Sequence, residues 1–248
     1  MERVPFEAGA YYHVYNRGTE KRDIFLGTGD YLRFIHYLYV CNDTAPIEKI
    51  RDEEKLKGGA GKNPSNSNVR GETSDKPEKP DKREKLVDIV AYALMPNHFH
   101  LLLSPRTDKG LSKFMQKVLT GHTMYFNKKN KRTGALYQGL FKSKEVTNEQ
   151  YLPVLARYIH LNPVDLMPRH DVRGETSDNR RIEAFLKNYR WSSCADYLGM
   201  KNFPSILTPD LFWEIFEDKK EHRDFLFEDA EELIDGEDPA IAELGFDE

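Results

Sequence analysis

The chain has 248 residues, of which 39% are hydrophobic and 31% are charged, and its formal net charge is -4. This length fits one large domain or one domain with appendages, and the mean hydropathy of -0.70 indicates that polar segments dilute an ordinary core. The sequence shows no secretory signal and no apolar run as long as a bilayer span, and its two cysteines, Cys41 and Cys194, are too few for a disulfide framework. We therefore expect a cytoplasmic protein without a membrane partner.

The net charge hides a strong asymmetry along the chain. Residues 87–170 contain 12 Lys and Arg against 5 Asp and Glu, a net charge of +7. Residues 209–248 contain 16 Asp and Glu against 3 Lys and Arg, a net charge of -13. Such a charge-split chain indicates a polyanionic partner for the basic part.

The first predicted elements are a strand and a helix. Residues 10–16 combine aromatic and β-branched side chains and end at Arg17-Gly18, which is typical of a strand. Asp30 has the position of an N-cap for an amphipathic helix that continues to Tyr39. From about residue 44 to residue 85, Pro, Gly, Ser, Asn, Lys and Glu dominate, and this composition predicts an insertion that cannot bury enough surface to order itself.

The core resumes with two apolar runs on either side of a Pro96-Asn97 turn, which predict a pair of strands. The later predicted elements are a helix over 111–127, a fourth strand within 135–146, and a helix that is capped by Asn148 and closed by Pro163. Without the insertion, the order is strand, helix, strand, strand, helix, strand, helix. The first six elements predict an α+β fold, the ferredoxin-like split βαβ arrangement with an antiparallel sheet.

Two histidines, His98 and His100, lie two positions apart in the strand that follows the turn. Side chains alternate between the faces of a strand, so both imidazoles point the same way, about 7 Å apart along the strand, and Phe99 points into the core. Two imidazoles on one face can hold a single metal ion. The alternative is that paired histidines only decorate a half-polar sheet face.

The last predicted helix carries Tyr158 and Asn162 at positions i and i+4, so both project from one helical face. A phenol and an amide oxygen placed in this way can serve one site, the first as a nucleophile and the second as an oxygen ligand. The alternative is a core tyrosine followed by an asparagine that ends the helix before Pro163.

Four motifs occur in order along the chain: Tyr-His-Val-Tyr-Asn-Arg-Gly at 12–18, Pro-Asn-His-Phe-His-Leu-Leu at 96–102, Arg-Tyr-Ile-His-Leu-Asn-Pro-Val at 157–164 and Tyr-Arg-Trp-Ser-Ser-Cys-Ala-Asp-Tyr-Leu-Gly at 189–199. Together they resemble the single-tyrosine HUH transposases, and in particular the REP-associated tyrosine transposases. The resemblance covers roughly residues 5–43 and 86–200. It implies a fold of the HUH endonuclease type with extra C-terminal helices.

The resemblance also implies roles for individual residues. His98 and His100 correspond to the metal-binding pair, Tyr158 to the nucleophile, and Asn162 to the third ligand, at a position where related insertion-sequence enzymes have glutamine. The implied cofactor is a divalent metal ion, Mg²⁺ or Mn²⁺. Tyr125 is the alternative nucleophile, although its i+4 position is occupied by a lysine that cannot bind a metal.

The implied activity is cleavage and transfer of single-stranded DNA through a 5′-phosphotyrosine intermediate, and the implied partner is single-stranded DNA with hairpin (REP-like) elements, bound by a monomer or a homodimer. The candidate DNA-binding residues are Asn16, Arg17, Lys128, Lys129, Lys131, Arg132, Lys142 and Lys144. The first alternative is a non-catalytic or regulatory nucleic-acid-binding protein that retains the fold. The second is a zinc-type hydrolase, but no glutamate adjoins either histidine to act as a general base.

We expect residues 1–200 to form the transposase-like HUH domain and residues 201–248 to form a helical, acidic C-terminal extension. The extension either folds back over the basic region and competes with DNA, or begins with a helix at Asp210 that packs on the domain.

One heptad, Val-Arg-Gly-Glu-Thr-Ser-Asp, occurs twice, at 69–75 and 172–178. Both copies lie in stretches that the composition predicts to be unstructured, so the repeat is not of the solenoid type.

Overall fold

The computed structural model describes residues 5–46, 81, 83–168, 179–216 and 218–228. Most of the predicted insertion, both copies of the repeated heptad and residues 229–248 lie outside this part of the chain. In the described part, no helix is both long enough and apolar enough to span a bilayer.

The core of the fold is a four-stranded antiparallel sheet with the strand order β2-β3-β1-β4. The strands are β1 (Tyr12–Arg17), β2 (Val87–Met95), β3 (His98–Pro105) and β4 (Lys142–Glu145). Helix α1 (Thr28–Val40) connects β1 to β2, and helix α2 (Gly110–Lys129) connects β3 to β4. This is the ferredoxin-like split βαβ topology, and the predicted α+β fold class is confirmed.

Further helices follow the sheet. They are α3 (Leu152–Leu161), which continues into a 3-10 turn (Asn162–Leu166), then α4 (Asn179–Asn188), α5 (Cys194–Tyr197), α6 (Pro209–Ile215) and α7 (Lys219–Phe227). Among the described residues, other short 3-10 turns occur at Thr19–Lys21, Glu149–Tyr151 and Pro204–Ile206.

Two helix starts differ in detail from the sequence-based expectation. Helix α1 begins two residues before Asp30, which is fully buried. Its carboxylate accepts a hydrogen bond from the Leu26 backbone N–H (2.9 Å) and forms an ion pair with Lys129, so Asp30 joins the start of α1 to the end of α2 instead of serving as an N-cap. Asn148 does cap a helix, but this helix is the 3-10 turn that precedes α3, where its side chain accepts from the Gln150 N–H (3.0 Å).

The helices cover both faces of the sheet. Helices α1 and α2 pack on the face that carries Phe99, whose ring lies 5.3 Å from that of Phe34 in α1. Helix α3 packs against β2 and β3 on the opposite face, where Tyr158 contacts His100. Because strand residues alternate between faces, the side chains on either side of Phe99 in β3 point toward α3.

The outer edge of β2 is covered by the segment before α5. The Leu94 N–H donates to the Trp191 carbonyl (2.9 Å), and the Ser193 N–H donates to the Tyr92 carbonyl (3.0 Å). Further along, the ring of Tyr197 lies against that of Phe212, with centroids 3.5 Å apart, and both residues belong to the same hydrophobic core as the sheet. The segment therefore covers the edge of β2, whose backbone groups would otherwise be exposed, and it connects the C-terminal helices to the core. Both cysteines are buried free thiols.

Candidate functional site

The site is built on the sheet face that α3 covers. His98 and His100 both point to this face, with ring centroids 5.0 Å apart and planes at 90°. The antiparallel register places Arg17 of β1 opposite His98 and Tyr15 opposite His100. Directly opposite residues in neighbouring strands point to the same face, so these four side chains form two adjacent rows.

The turn before β3 fixes the orientation of His98. Its Nδ1 lies 2.6 Å from the Oδ1 of Asn97, and the Asn97 amide nitrogen donates to the Lys21 carbonyl (3.3 Å). Since the amide oxygen only accepts hydrogen bonds, the tautomer of His98 that donates from Nδ1 to Asn97 has its lone pair on Nε2. That Nε2 lies 3.2 Å from the Oδ1 of Asn162.

His98 and Asn162 fit a divalent cation. In the tautomer of His98 that donates from Nδ1 to Asn97, His98 Nε2 and Asn162 Oδ1 are two lone-pair-bearing atoms 3.2 Å apart. Adjacent ligands of an octahedral ion at about 2.1 Å are separated by about 3 Å, so the two atoms have the spacing of neighbouring ligands. Within the described residues, no group of three or more His, Cys, Asp or Glu side chains could hold a metal ion. A site at this position therefore needs the amide oxygen of Asn162 beside the two imidazoles.

His100 lies deeper than His98 and is 1% exposed. Burial, and then the neighbouring His13 and His98, hold the pKa of His100 well below the ordinary histidine value. Its imidazole is therefore neutral near pH 7, which is the protonation state that metal binding requires. His100 Nδ1 is 2.9 Å from the Nε2 of His13 in β1.

Helix α3 brings Tyr158 and Asn162 to the same place. The two residues are one turn apart, and the Asn162 N–H donates to the Tyr158 carbonyl. The half-buried Tyr158 ring stands edge-on to His100, with centroids 5.4 Å apart and planes at 86°. The structure thus brings together all four residues that were predicted as nucleophile and metal ligands.

Tyr125, the alternative nucleophile, is not part of this group. It lies on α2, which covers the opposite face of the sheet, and its ring centroid is 6.4 Å from that of His122. His122 contacts Phe34 (5.1 Å), and Phe34 packs against Phe99. Burial, and then the Asp30 carboxylate, raise the pKa of Tyr125, which makes its phenolate harder to form.

Three of the predicted DNA-binding residues share the face of the histidines. Arg17 is opposite His98, and the β1–β4 register places Lys142 opposite Tyr15 and Lys144 opposite a third histidine, His13. The Lys142 ammonium lies 5.5 Å from the centroid of the Tyr15 ring. We refer to Arg17, Lys142 and Lys144 as the basic row.

Two other predicted DNA-binding side chains bind the protein itself. Asn16 points to the opposite face, is 4% exposed, and its amide nitrogen donates to the Gly139 carbonyl (3.4 Å). The Arg132 guanidinium donates to Asn127 Oδ1 (2.7 Å) and to the Ala135 carbonyl (3.0 Å). Both side chains therefore stabilise the loop that follows α2.

The remaining three predicted DNA-binding residues lie at the end of α2. Lys129 forms an ion pair with the buried Asp30, so its ammonium holds α2 against α1. Lys128 and Lys131 are exposed. These lysines surround the C-terminal end of a helix that covers the other face of the sheet, away from the basic row.

Sequence reasoning did not single out His13 or Asn97. Alternation within Tyr12-His13-Val14-Tyr15 does place His13 and Tyr15 on one face of a strand. That signal alone did not connect them to β3, because the pairing register of β1 with β3 is not encoded in local alternation.

Residues 79–162 match the family model described as "Transposase IS200 like". This segment includes both histidines of β3, Tyr158 and Asn162, and the resemblance indicated by the motifs is confirmed. A solved structure described as "Structure of the REP associates tyrosine transposase bound to a REP hairpin" is similar, with 14% sequence identity and a TM-score of 0.47, over 84% of this chain and 90% of that chain. A comparison with curated proteins gave no match.

Proposed function

We propose that this protein is a metal-dependent endonuclease and strand transferase of single-stranded DNA, with Tyr158 as its nucleophile. The observation that carries the proposal is the convergence of Tyr158 and Asn162 from α3 on His98 and His100 from β3. The match of residues 79–162 to a transposase family model supports it, since these four residues lie within the match.

In the proposed reaction the Tyr158 phenolic oxygen attacks a phosphorus atom of the DNA backbone. The new bond joins this oxygen to phosphorus, and the bond from phosphorus to the 3′ oxygen breaks. The phenolic proton passes to solvent and the departing 3′ oxygen takes up a proton, which leaves a 5′-phosphotyrosine and a free 3′-OH. A 3′-OH of the same or another strand can reverse the step, so strand transfer needs no external energy source.

Each residue of the site has one task in this proposal. His98, His100 and Asn162 would hold Mg²⁺ or Mn²⁺. The ion, when bound, would supply Lewis-acid chemistry, which neutralises charge that develops on the phosphate. Tyr158 would be aimed by the rigid turn of α3 and by its edge-on contact with His100. A tyrosine phenol has a pKa of about 10 in water and is a weak nucleophile, so a divalent ion held by these ligands would help by stabilising the phenolate.

The basic row would bind the DNA strand next to the nucleophile. Arg17 lies opposite His98, and Lys142 lies opposite the half-buried Tyr15, which in turn lies opposite His100. We propose Tyr15 as the aromatic residue on which an unpaired base stacks. Salt-dependent phosphate contacts together with aromatic stacking are typical of proteins that bind single strands. Hairpins with single-stranded flanks are the substrates that the family resemblance implies, and we propose them here.

The test is to incubate the protein with a labelled DNA hairpin that has randomised single-stranded flanks, with Mn²⁺ or Mg²⁺, and to separate the products under denaturing conditions. We expect a covalent protein–DNA adduct that depends on the metal and on Tyr158. Hairpin binding with no adduct at any metal concentration would instead favour the non-catalytic binding protein.

A further inference from the structure

His13 contacts His100 of the proposed metal site, and the proposed reaction gives it no role. It is fully buried in β1, and its Nε2 is 2.9 Å from the Nδ1 of His100. The two ring planes differ by only 10° and the centroids are 5.1 Å apart, which is the arrangement of an in-plane N–H···N hydrogen bond. The Tyr158 ring also stands edge-on to His13, with ring centroids 6.1 Å apart.

This hydrogen bond holds a single proton between two neutral imidazoles, and its direction decides what His100 can do. If His100 Nδ1 donates, His100 Nε2 keeps its lone pair and can bind a metal. If His13 Nε2 donates, the proton of His100 resides on Nε2 and prevents that nitrogen from binding a metal. The direction of one buried hydrogen bond therefore switches the ligand on or off.

We propose that His13 is a positioning residue that accepts the Nδ1 proton of His100 and so fixes the tautomer and the orientation of His100 as a metal ligand. This inference rests on the proposed function. Outer partners of this type commonly orient metal-binding histidines, and their loss lowers metal affinity by about 10- to 100-fold.

The arrangement around His98 supports the inference. There the Asn97 Oδ1 accepts from Nδ1 at 2.6 Å and leaves Nε2 directed at Asn162. Each histidine of the pair thus has its Nδ1 hydrogen-bonded to one side chain, that of Asn97 in the preceding turn for His98 and that of His13 in the neighbouring strand for His100. Tyr15 adds a mechanical constraint, since its ring lies nearly parallel to those of His13 (4.8 Å) and His100 (5.9 Å).

The first test compares two replacements of His13 by calorimetric titration of the DNA-free protein with Mn²⁺. In His13→Gln an amide oxygen can occupy the place of Nε2 and accept the same proton, so affinity should stay within about 3-fold of the wild type. His13→Phe keeps the ring but has no acceptor, so affinity should fall by about 10- to 100-fold. His122→Phe is the matched control, because it removes an equally buried histidine from the opposite face of the sheet, and it should leave affinity unchanged.

Wild-type affinity in His13→Phe would overturn the inference. Loss of binding as complete as in His100→Ala would also overturn it, since His13 would then be a ligand itself.

The second test needs no variant and no metal. Long-range ¹H–¹⁵N correlation spectra of the metal-free wild-type protein report which nitrogen of His100 carries the proton. The inference requires protonated Nδ1 and unprotonated Nε2, and the opposite tautomer would refute it even if a His13 variant failed to fold. Absence of Mn²⁺ binding by the wild-type protein, together with the expected tautomer, would count against the proposed function and not against the role of His13.

Discussion

The Nε2 of His98 lies 3.2 Å from the Oδ1 of Asn162, although 64 positions separate the two residues in the chain. One residue starts a central strand and the other ends the helix that packs on it. The contact exists because Asn97 turns the imidazole toward α3, while the helical turn from Tyr158 brings the amide to the same point. This pairing makes the site a candidate metal centre adjacent to Tyr158, the proposed nucleophile.

The proposed metal ligands can be tested by replacement. We expect His98→Ala, His100→Ala and Asn162→Ala each to weaken Mn²⁺ binding by more than about 100-fold, because each removes one proposed ligand, whereas loss of an outer partner costs about 10- to 100-fold. The yield of the DNA adduct should decrease together with Mn²⁺ affinity in each variant. For the variant that loses the least affinity, a high Mn²⁺ concentration should restore the adduct. Adduct formation in EDTA at the rate seen with metal would rule out the metal site.

Replacement of the proposed nucleophile should abolish the cleavage reaction and leave DNA binding intact. Tyr158→Phe removes only the phenolic oxygen, so it should abolish the covalent adduct while hairpin affinity stays within about 2-fold. Tyr125→Phe is the matched control, since that ring lies across the sheet from the histidines, and it should retain the adduct. The assignment fails if the two variants behave the other way round.

The basic row should govern affinity for single strands. The double replacement Lys142→Gln and Lys144→Gln should weaken binding at low salt. It should also reduce the slope of log affinity against log salt by about 0.7 for each phosphate that the variant no longer neutralises. The double replacement Lys109→Gln and Lys113→Gln changes the net charge equally on exposed positions of the α2 segment, across the sheet. Equal effects of the two double variants would mean that overall charge, and not the basic row, attracts the DNA.

Buried histidines away from the site should make stability depend on pH. His160 and His222 are buried with their ring nitrogens 3.3 Å apart, and burial lowers the pKa of His222 to about 4 and that of His160 well below 6.5. Burial also lowers the pKa of His122 to about 3. Below pH 6.5 the unfolded chain binds protons that the native state does not, so stability is complete above this pH and falls as the pH decreases toward 4.

Between pH 6.5 and the lowered pKa of each buried neutral histidine, the free energy of unfolding should decrease by about 1.4 kcal/mol per pH unit for each such residue. Urea unfolding at pH 7.5, 6 and 5 measures this slope. His122→Phe should lower it by the contribution of one histidine. A free energy of unfolding that is the same at pH 7.5 and pH 5 would contradict the prediction.

The repeated heptad leads to a prediction about the gene. The genetic code permits GTC-CGA-GGT for Val-Arg-Gly and ACC-TCG-GAC for Thr-Ser-Asp, and these two strings are reverse complements separated by the glutamate codon. We expect the codons for residues 69–75 and 172–178 to form such DNA hairpins, which would then be the first oligonucleotides to test with the protein. Sequencing of the gene decides the matter, because codons that cannot pair as a stem exclude the hypothesis.

Periodicity and chain order were sufficient to predict the fold and the pairing of candidate site residues within each segment, but not the connection between the two segments. Alternation in β3 placed His98 and His100 on one face, and the helical period placed Tyr158 and Asn162 on one side of α3. Both patterns depend only on neighbouring residues, so they can be read without knowledge of tertiary packing. The family resemblance then connected the two segments.

Tertiary structure alone decided which of the other predicted residues belong to the site. The β1–β3 register placed His13 beside His100, and the packing of α2 on the opposite face removed Tyr125 from it. Asn16 was directed into the protein by the loop after α2, and this contact spans 123 positions of the chain. Strand register and helix packing are set by contacts between residues far apart in sequence, so no local pattern in the sequence determines them.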